Sequence, residues 1–182
     1  MADFNERDLI TRCLAGDEAA FTQLVEQYQG LVFGVLSRTV TDRGRVEDLA
    51  QEVFLRVYRG LPHFRADSRL STWIYRIAAN LCAQERVPKG VHEIPLDDDS
   101  PGPALRTAGT RDRTFGEIEL RDRLDKAMAR LPVRYRLLIA GHYFKEIQYE
   151  DLADVLELPI GTVKTHLHRA KRMLRRLLEE EL

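Results

Sequence analysis

Between Leu158 and Leu178 every charged side chain is a cation: Lys164, Arg169, Lys171, Arg172, Arg175 and Arg176. Charge of one sign on one helix suits a phosphate backbone, because each cation that docks releases condensed counterions. The same stretch places Val163, Leu167, Ala170, Leu174 and Leu177 at the spacing of one helix face. That stripe would seat the helix and turn its basic side outward. An acidic segment, Tyr149 to Glu157, precedes it with Leu152, Ala153 and Leu156 as its own stripe. Only Leu158-Pro159-Ile160-Gly161 separates the two, a connection punctuated by Pro and Gly. Short helix, tight turn and longer basic helix form the helix-turn-helix pattern, whose second helix enters the DNA major groove. The alternative is an amphipathic helix with a solvated basic face; charge of one sign along this helix is what phosphate binding requires, which favours DNA.

Two other groupings have binding chemistry. In a helix expected from Leu70 to Arg86, the residues Thr72, Arg76, Ala79, Asn80, Ala83 and Arg86 share one side. It is small, polar and basic, and can lie on a nucleic-acid backbone while amide and aromatic groups read unstacked bases. Leu70, Trp73, Ile74, Ile77, Ala78 and Leu81 make the inner stripe, where the Trp73 ring is worth most when buried. In a helix expected from Arg45 to Arg59, Asp48, Gln51, Glu52 and Leu55 share a mixed acidic and apolar side. Spacing alone makes that an ordinary solvated face. Enzyme chemistry finds no foothold. There is no phosphate-binding glycine loop, and His166 and His168 point to different sides of a helix, unlike an i, i+4 metal pair. Asp97-Asp98-Asp99 lack the alternating spacing of a calcium loop. No catalytic residue, metal or cofactor is expected.

The elements that position these groups are helices throughout. Asn5 to Leu14 reads as a short helix closed by Gly16, and Asp17 as the N-cap of a longer one. Phe21, Leu24, Val25, Tyr28, Leu31, Val32 and Val35 give that second helix a core stripe, with packing as its only evident role. Gly30 and Gly34 within it allow close helix approach. From Pro88 to about Phe115 prolines, glycines and an acidic run replace any apolar period, which predicts a flexible linker. Periodicity resumes at Ile118, and Pro132 opens a further helix at a position proline tolerates. No strand-type alternation is sustained, so the chain is expected to be all-α. It divides into a helical bundle over 1–87, the linker over 88–115, and a four-helix helix-turn-helix domain over 116–182.

Composition bounds the function further. The 182 residues carry 28 Lys and Arg against 29 Asp and Glu, a formal charge of −1. Such a chain is no polycation, so DNA affinity must come from local basic faces. Cys13 and Cys82 each sit in a helical pattern beside apolar residues, which fits a reducing, cytoplasmic setting. The acidic start Met1-Ala2-Asp3-Phe4-Asn5-Glu6 lacks the form of a signal peptide, and no apolar run approaches the roughly 20 residues of a membrane span.

Four separate stretches, in order, resemble the bacterial extracytoplasmic-function (ECF) sigma factors, a branch of the sigma-70 family. Asp48-Leu49-Ala50-Gln51-Glu52-Val53-Phe54 is similar to that family's polymerase-binding helix. Phe64-Arg65-Ala66-Asp67-Ser68, with Ser71-Thr72-Trp73-Ile74-Tyr75-Arg76-Ile77-Ala78-Ala79-Asn80, is similar to its promoter-melting segment. Leu131-Pro132-Val133-Arg134-Tyr135-Arg136 and Gly161-Thr162-Val163-Lys164-Thr165-His166-Leu167-His168-Arg169-Ala170 resemble the two halves of its upstream-element domain.

The resemblance implies roles that spacing alone does not. Asp48, Gln51, Glu52 and Leu55 would dock on the clamp helices of the largest core-polymerase subunit, a charged rim around an apolar contact. Phe64, Arg65, Tyr75, Arg76 and Asn80 would hold the melted strand of the minus-10 element, with Asn80 or the loop backbone reading a flipped base. Lys164, Thr165, His168 and Arg169 would contact the minus-35 element, while Arg172 and Arg175 grip phosphates. The C-terminal domain would also meet the flap of the other large subunit. An anti-sigma factor, often membrane-bound in this family, would cover the polymerase-binding surfaces of a chain that does not itself insert in the membrane. Gln148 stands where the family's pattern often has serine, so the acidic helix should start without a strong cap. The competing reading is a stand-alone helix-turn-helix regulator that dimerises on paired half-sites. It leaves Asp48, Gln51, Glu52 and the Phe64 to Asn80 segment without a role.

Overall fold

Short polar side chains start the first two helices. In the computed structural model, which describes residues 5–40, 42–84 and 115–180, Asn5 Oδ1 accepts a hydrogen bond from the Asp8 amide and α1 runs over Glu6–Leu14. Gly16 turns the chain at φ +82°, a left-handed conformation that glycine adopts at little cost. Asp17 then accepts from the Ala20 amide at 3.1 Å, holds Arg12 at 2.7 Å, and opens α2 (Glu18–Thr39). With α3 (Val46–Gly60) and α4 (Leu70–Gln84), α2 forms a bundle around Leu24, Val32, Val35, Val53, Val57, Leu70 and Ile74.

The second set begins with α5 (Phe115–Ala129) and, after Pro132, α6 (Val133–Ile139). The helix widens into a π-helical turn over Ala140–Phe144, then α7 (Tyr149–Leu156) and α8 (Ile160–Glu179) follow. Gln148 makes no side-chain cap on α7, as its poor capping chemistry predicts. Glu157 ends α7 in the left-handed region at φ 53°. Pro159 occupies the cap position of α8, so Ile160 and Gly161 belong to the first turn of that helix rather than to the connection. The described residues are all-α, with no strand among them. Of the linker expected over 88–115, only Phe115 lies within the described residues, and it opens α5.

The two helical sets pack against each other, and α4 is the shared wall. Thr72 and Ala79, expected on its open face, are buried, as are Tyr75 and Cys82. A helix covered from two sides has no open face where its second partner lies, and here α6 and α7 are that partner. Gly141 permits the approach: a Cβ there would meet Leu152 Cδ2 at 2.6 Å and Tyr75 Oη at 2.8 Å. On α2, the Lys145 side chain makes the close approach to Gly34 that the glycine pair was expected to offer a helix. Its Nζ donates to the Gly30 carbonyl at 2.7 Å. Arg38 lies over the Phe144 ring at 4.2 Å, and Arg43 reaches Asp125 at 3.3 Å.

Candidate nucleic-acid interface

Helix α8 is positioned by its apolar stripe: Val163, Leu167, Ala170, Leu174 and Leu177 are all buried, with Met173 beside them. That fixes the outward side. Lys164, Thr165 and Arg169 are exposed within its first three turns, and His168, Arg172 and Arg175 are half-buried along it. Thr165 Oγ1 donates back to the Gly161 carbonyl at 2.9 Å, which holds the hydroxyl at the helix surface. The Lys164 ammonium stands 5.8 Å from the Tyr149 ring centroid, so α7 steadies the leading cation of α8. His166 turns inward, edge-on to Tyr135, with its Nδ1 buried and unpartnered. Burial, then the charges of Arg169 and Arg134, hold its pKa below the ordinary imidazole value.

The second group is divided by the fold. Arg65 and Asn80 are exposed, Arg76 is half-buried, and Phe64 packs on Trp73 with ring centroids 5.2 Å apart. Ala66, in the same loop, is held at φ 57°. Tyr75 is 0% exposed, and its Oη donates to the Leu137 carbonyl at 2.6 Å. In this conformation four of the five expected minus-10 residues lie at or near the surface, and Tyr75 lies inside the junction with α6.

The third group keeps together. Asp48, Gln51 and Leu55 are exposed, and Glu52 pairs with Arg56 at 2.7 Å. Leu55, 48% exposed, borders a groove of about 550 Å³ between α2 and α3. Phe21, Gln29, Phe33 and Tyr58 line it as well. The helical period of α2 predicts packing alone and does not show its side of this groove. Phe33 was the available signal, a large apolar residue outside the packing stripe.

Comparison with known proteins bears on all three surfaces. Residues 24–86 match the family model for sigma-70 region 2, and residues 121–174 match that for sigma-70 region 4. The chain is 35% identical to the ECF RNA polymerase sigma-E factor of Escherichia coli, covering 90% of this chain and 88% of that one. The chain belongs to the ECF sigma factors. It is likewise 32% identical to the RNA polymerase sigma-H factor of Pseudomonas aeruginosa, over 96% of this chain and 94% of that one. In fold, this sigma factor is similar to the sigma factor RpoE from Bartonella quintana, solved in complex with the anti-sigma factor NepR. The TM-score is 0.67 at 23% identity, over 87% of this chain and 96% of that one. It is a non-enzymatic transcription initiation factor that serves RNA polymerase in promoter recognition. Among the described residues, no helix is long and apolar enough to cross a membrane.

Proposed function

We propose that this sigma factor divides its work among the three surfaces. Asp48, Gln51, Glu52 and Leu55 dock on the clamp helices of the largest polymerase subunit, with Gln29 and Phe33 extending the same contact onto α2. Phe64, Arg65, Tyr75, Arg76 and Asn80 capture the unpaired strand of the minus-10 element, and the binding of unstacked bases offsets the cost of melting. Lys164, Thr165, His168 and Arg169 read the minus-35 element in the major groove, while Arg172 and Arg175 position the helix on phosphates. Residues 1–87 and 116–182 act as separate domains on the polymerase, the second also meeting the flap. The exposed apolar groove beside Asp48 and Gln51 is the observation that carries this reading. An apolar recess of about 550 Å³ marks a protein–protein contact, and a regulator that used it to dimerise would leave the Asp48, Gln51 and Glu52 side of α3 without a role.

Two consequences follow for the state of the free protein. Tyr75 can hold a base only once α6 has moved off α4, so promoter capture requires the two domains to separate. An anti-sigma factor, the kind of partner bound to the Bartonella sigma factor, acts on this chain by holding its polymerase-binding surfaces covered. The work is done in the cytoplasm, where core polymerase resides. The test is run-off transcription with Lys164→Ala, Arg169→Ala protein. This double variant keeps its complex with core polymerase and loses promoter-specific transcript. Loss of the polymerase complex as well would give the C-terminal domain a different job.

A further inference from the structure

The junction between the two helical sets forms a half-open recess of about 370 Å³ that neither the polymerase nor the promoter reading uses. Its wall joins Ser37, Arg38 and Arg43 from the first set to Asp122, Asp125 and Arg136 from the second, with Lys126 at the rim. Four cations therefore face two carboxylates, and one carboxylate, Asp125, is already engaged by Arg43. Arg136 is the telling member. It is only 3% exposed, its Nε is buried with no hydrogen-bond partner, and among the described residues no carboxylate pairs with it. Burial of a guanidinium without a counter-charge is unfavourable, and a cavity beside it with net positive lining is where the counter-charge would enter. Arg38 spends one N–H on the Gly34 carbonyl and keeps the rest of its fork available.

We propose that this recess binds a small free phosphate anion, of phosphate or diphosphate size, and that the bound anion fastens the two helical sets together. Guanidinium forks match phosphoryl oxygens in geometry as well as charge. The volume falls at the small end of the range for ligand cavities, about 300–1,000 Å³, which suits a diphosphate and excludes a DNA backbone from its interior. Because the wall is built from both sets, the anion binds the joined form alone and shifts the population toward it. Tyr75 is covered in that form, so the anion opposes promoter capture. That last consequence rests on the promoter reading above; the binding itself does not.

Isothermal titration of the full-length chain with sodium pyrophosphate, at constant ionic strength, tests the site without polymerase or DNA. One saturable site is expected, weakened at least tenfold by Arg136→Met and also by Arg43→Ala, whose side chain is 77% exposed and whose exposed ion pair with Asp125 adds little to stability. Amide exchange in α4 and α6 should slow at saturation. Absence of saturable binding at millimolar pyrophosphate overturns the proposal, as does binding that Arg43→Ala and Arg136→Met leave unchanged. Saturable binding without slower exchange overturns the fastening. Displacement of pyrophosphate by a short DNA duplex at the same ionic strength would assign the cations to backbone phosphates and overturn the free-anion reading.

Discussion

Tyr75 Oη donates a 2.6 Å hydrogen bond to the main-chain carbonyl of Leu137, joining residues 62 apart in sequence and tying α4 to α6. The bond is buried, and both the polar pair and the ring around it hold the two helical sets together. Tyr75→Phe keeps the ring and removes one of two donors to the Leu137 carbonyl, the Ala140 amide remaining, which should cost about 0.5–1.5 kcal/mol. Tyr75→Ala removes the ring too and should cost about 3–5 kcal/mol. Urea unfolding of the three proteins measures both.

Gly141 sets how closely the two sets approach. A methyl group at this position would meet Leu152 and the Oη of Tyr75 inside contact distance. Gly141→Ala should therefore destabilise the chain by about 1–3 kcal/mol through overpacking. The clash with Leu152 lies within the second set and that with Tyr75 between the two sets, so the same variant should also show a larger radius in solution scattering.

His166 predicts an acid-side loss of stability. Its pKa is lowered in the fold, first by burial and then by Arg169 and Arg134. The unfolded chain thus takes up a proton as pH falls through the ordinary value of 6.5, while the folded chain resists until its own lower pKa. The contribution is fully present above 6.5 and is lost as pH falls below it. Melting temperature should fall between neutral and mildly acid pH in the wild type, and fall less in His166→Gln.

Glu157 carries the conformation that favours glycine at the end of α7. Glu157→Gly relieves the left-handed strain at the cost of a freer unfolded chain. The balance should be a gain of about 0.5–1 kcal/mol, read as a higher melting temperature with unchanged DNA binding.

The legible parts of this molecule are those where a helix is buried on one side only. The stripe of α8 is a clean period with one covered face, so five spaced apolar residues predict its seat and hence its basic side. Asp17 announces α2 because capping is local chemistry. Helix α4 defeats the same reasoning: Thr72 and Ala79 look like surface residues on a single helix and become core when α6 and α7 cover them. No period within α4 carries that information, because the second partner lies beyond the linker. Arg136 is hidden from sequence for a related reason: charge favours exposure, and the junction buries it. The groove between α2 and α3 depends on which apolar residues two packed helices leave over, Phe33 and Leu55 among them, and that is set by their mutual packing.

Co-migration with bacterial core RNA polymerase on a sizing column tests the central claim most directly, with the wild type run beside an Asp48→Arg, Glu52→Arg double variant. The wild type should elute as a stoichiometric complex. The double variant, folded as judged by its helical signal, should elute alone, because two reversed charges oppose docking at the rim of the α2–α3 groove. Polymerase binding by the double variant equal to that of the wild type would contradict the assignment of this surface. Failure of the wild type itself to bind, together with tight sequence-specific binding of duplex DNA by the free chain, would contradict the account as a whole.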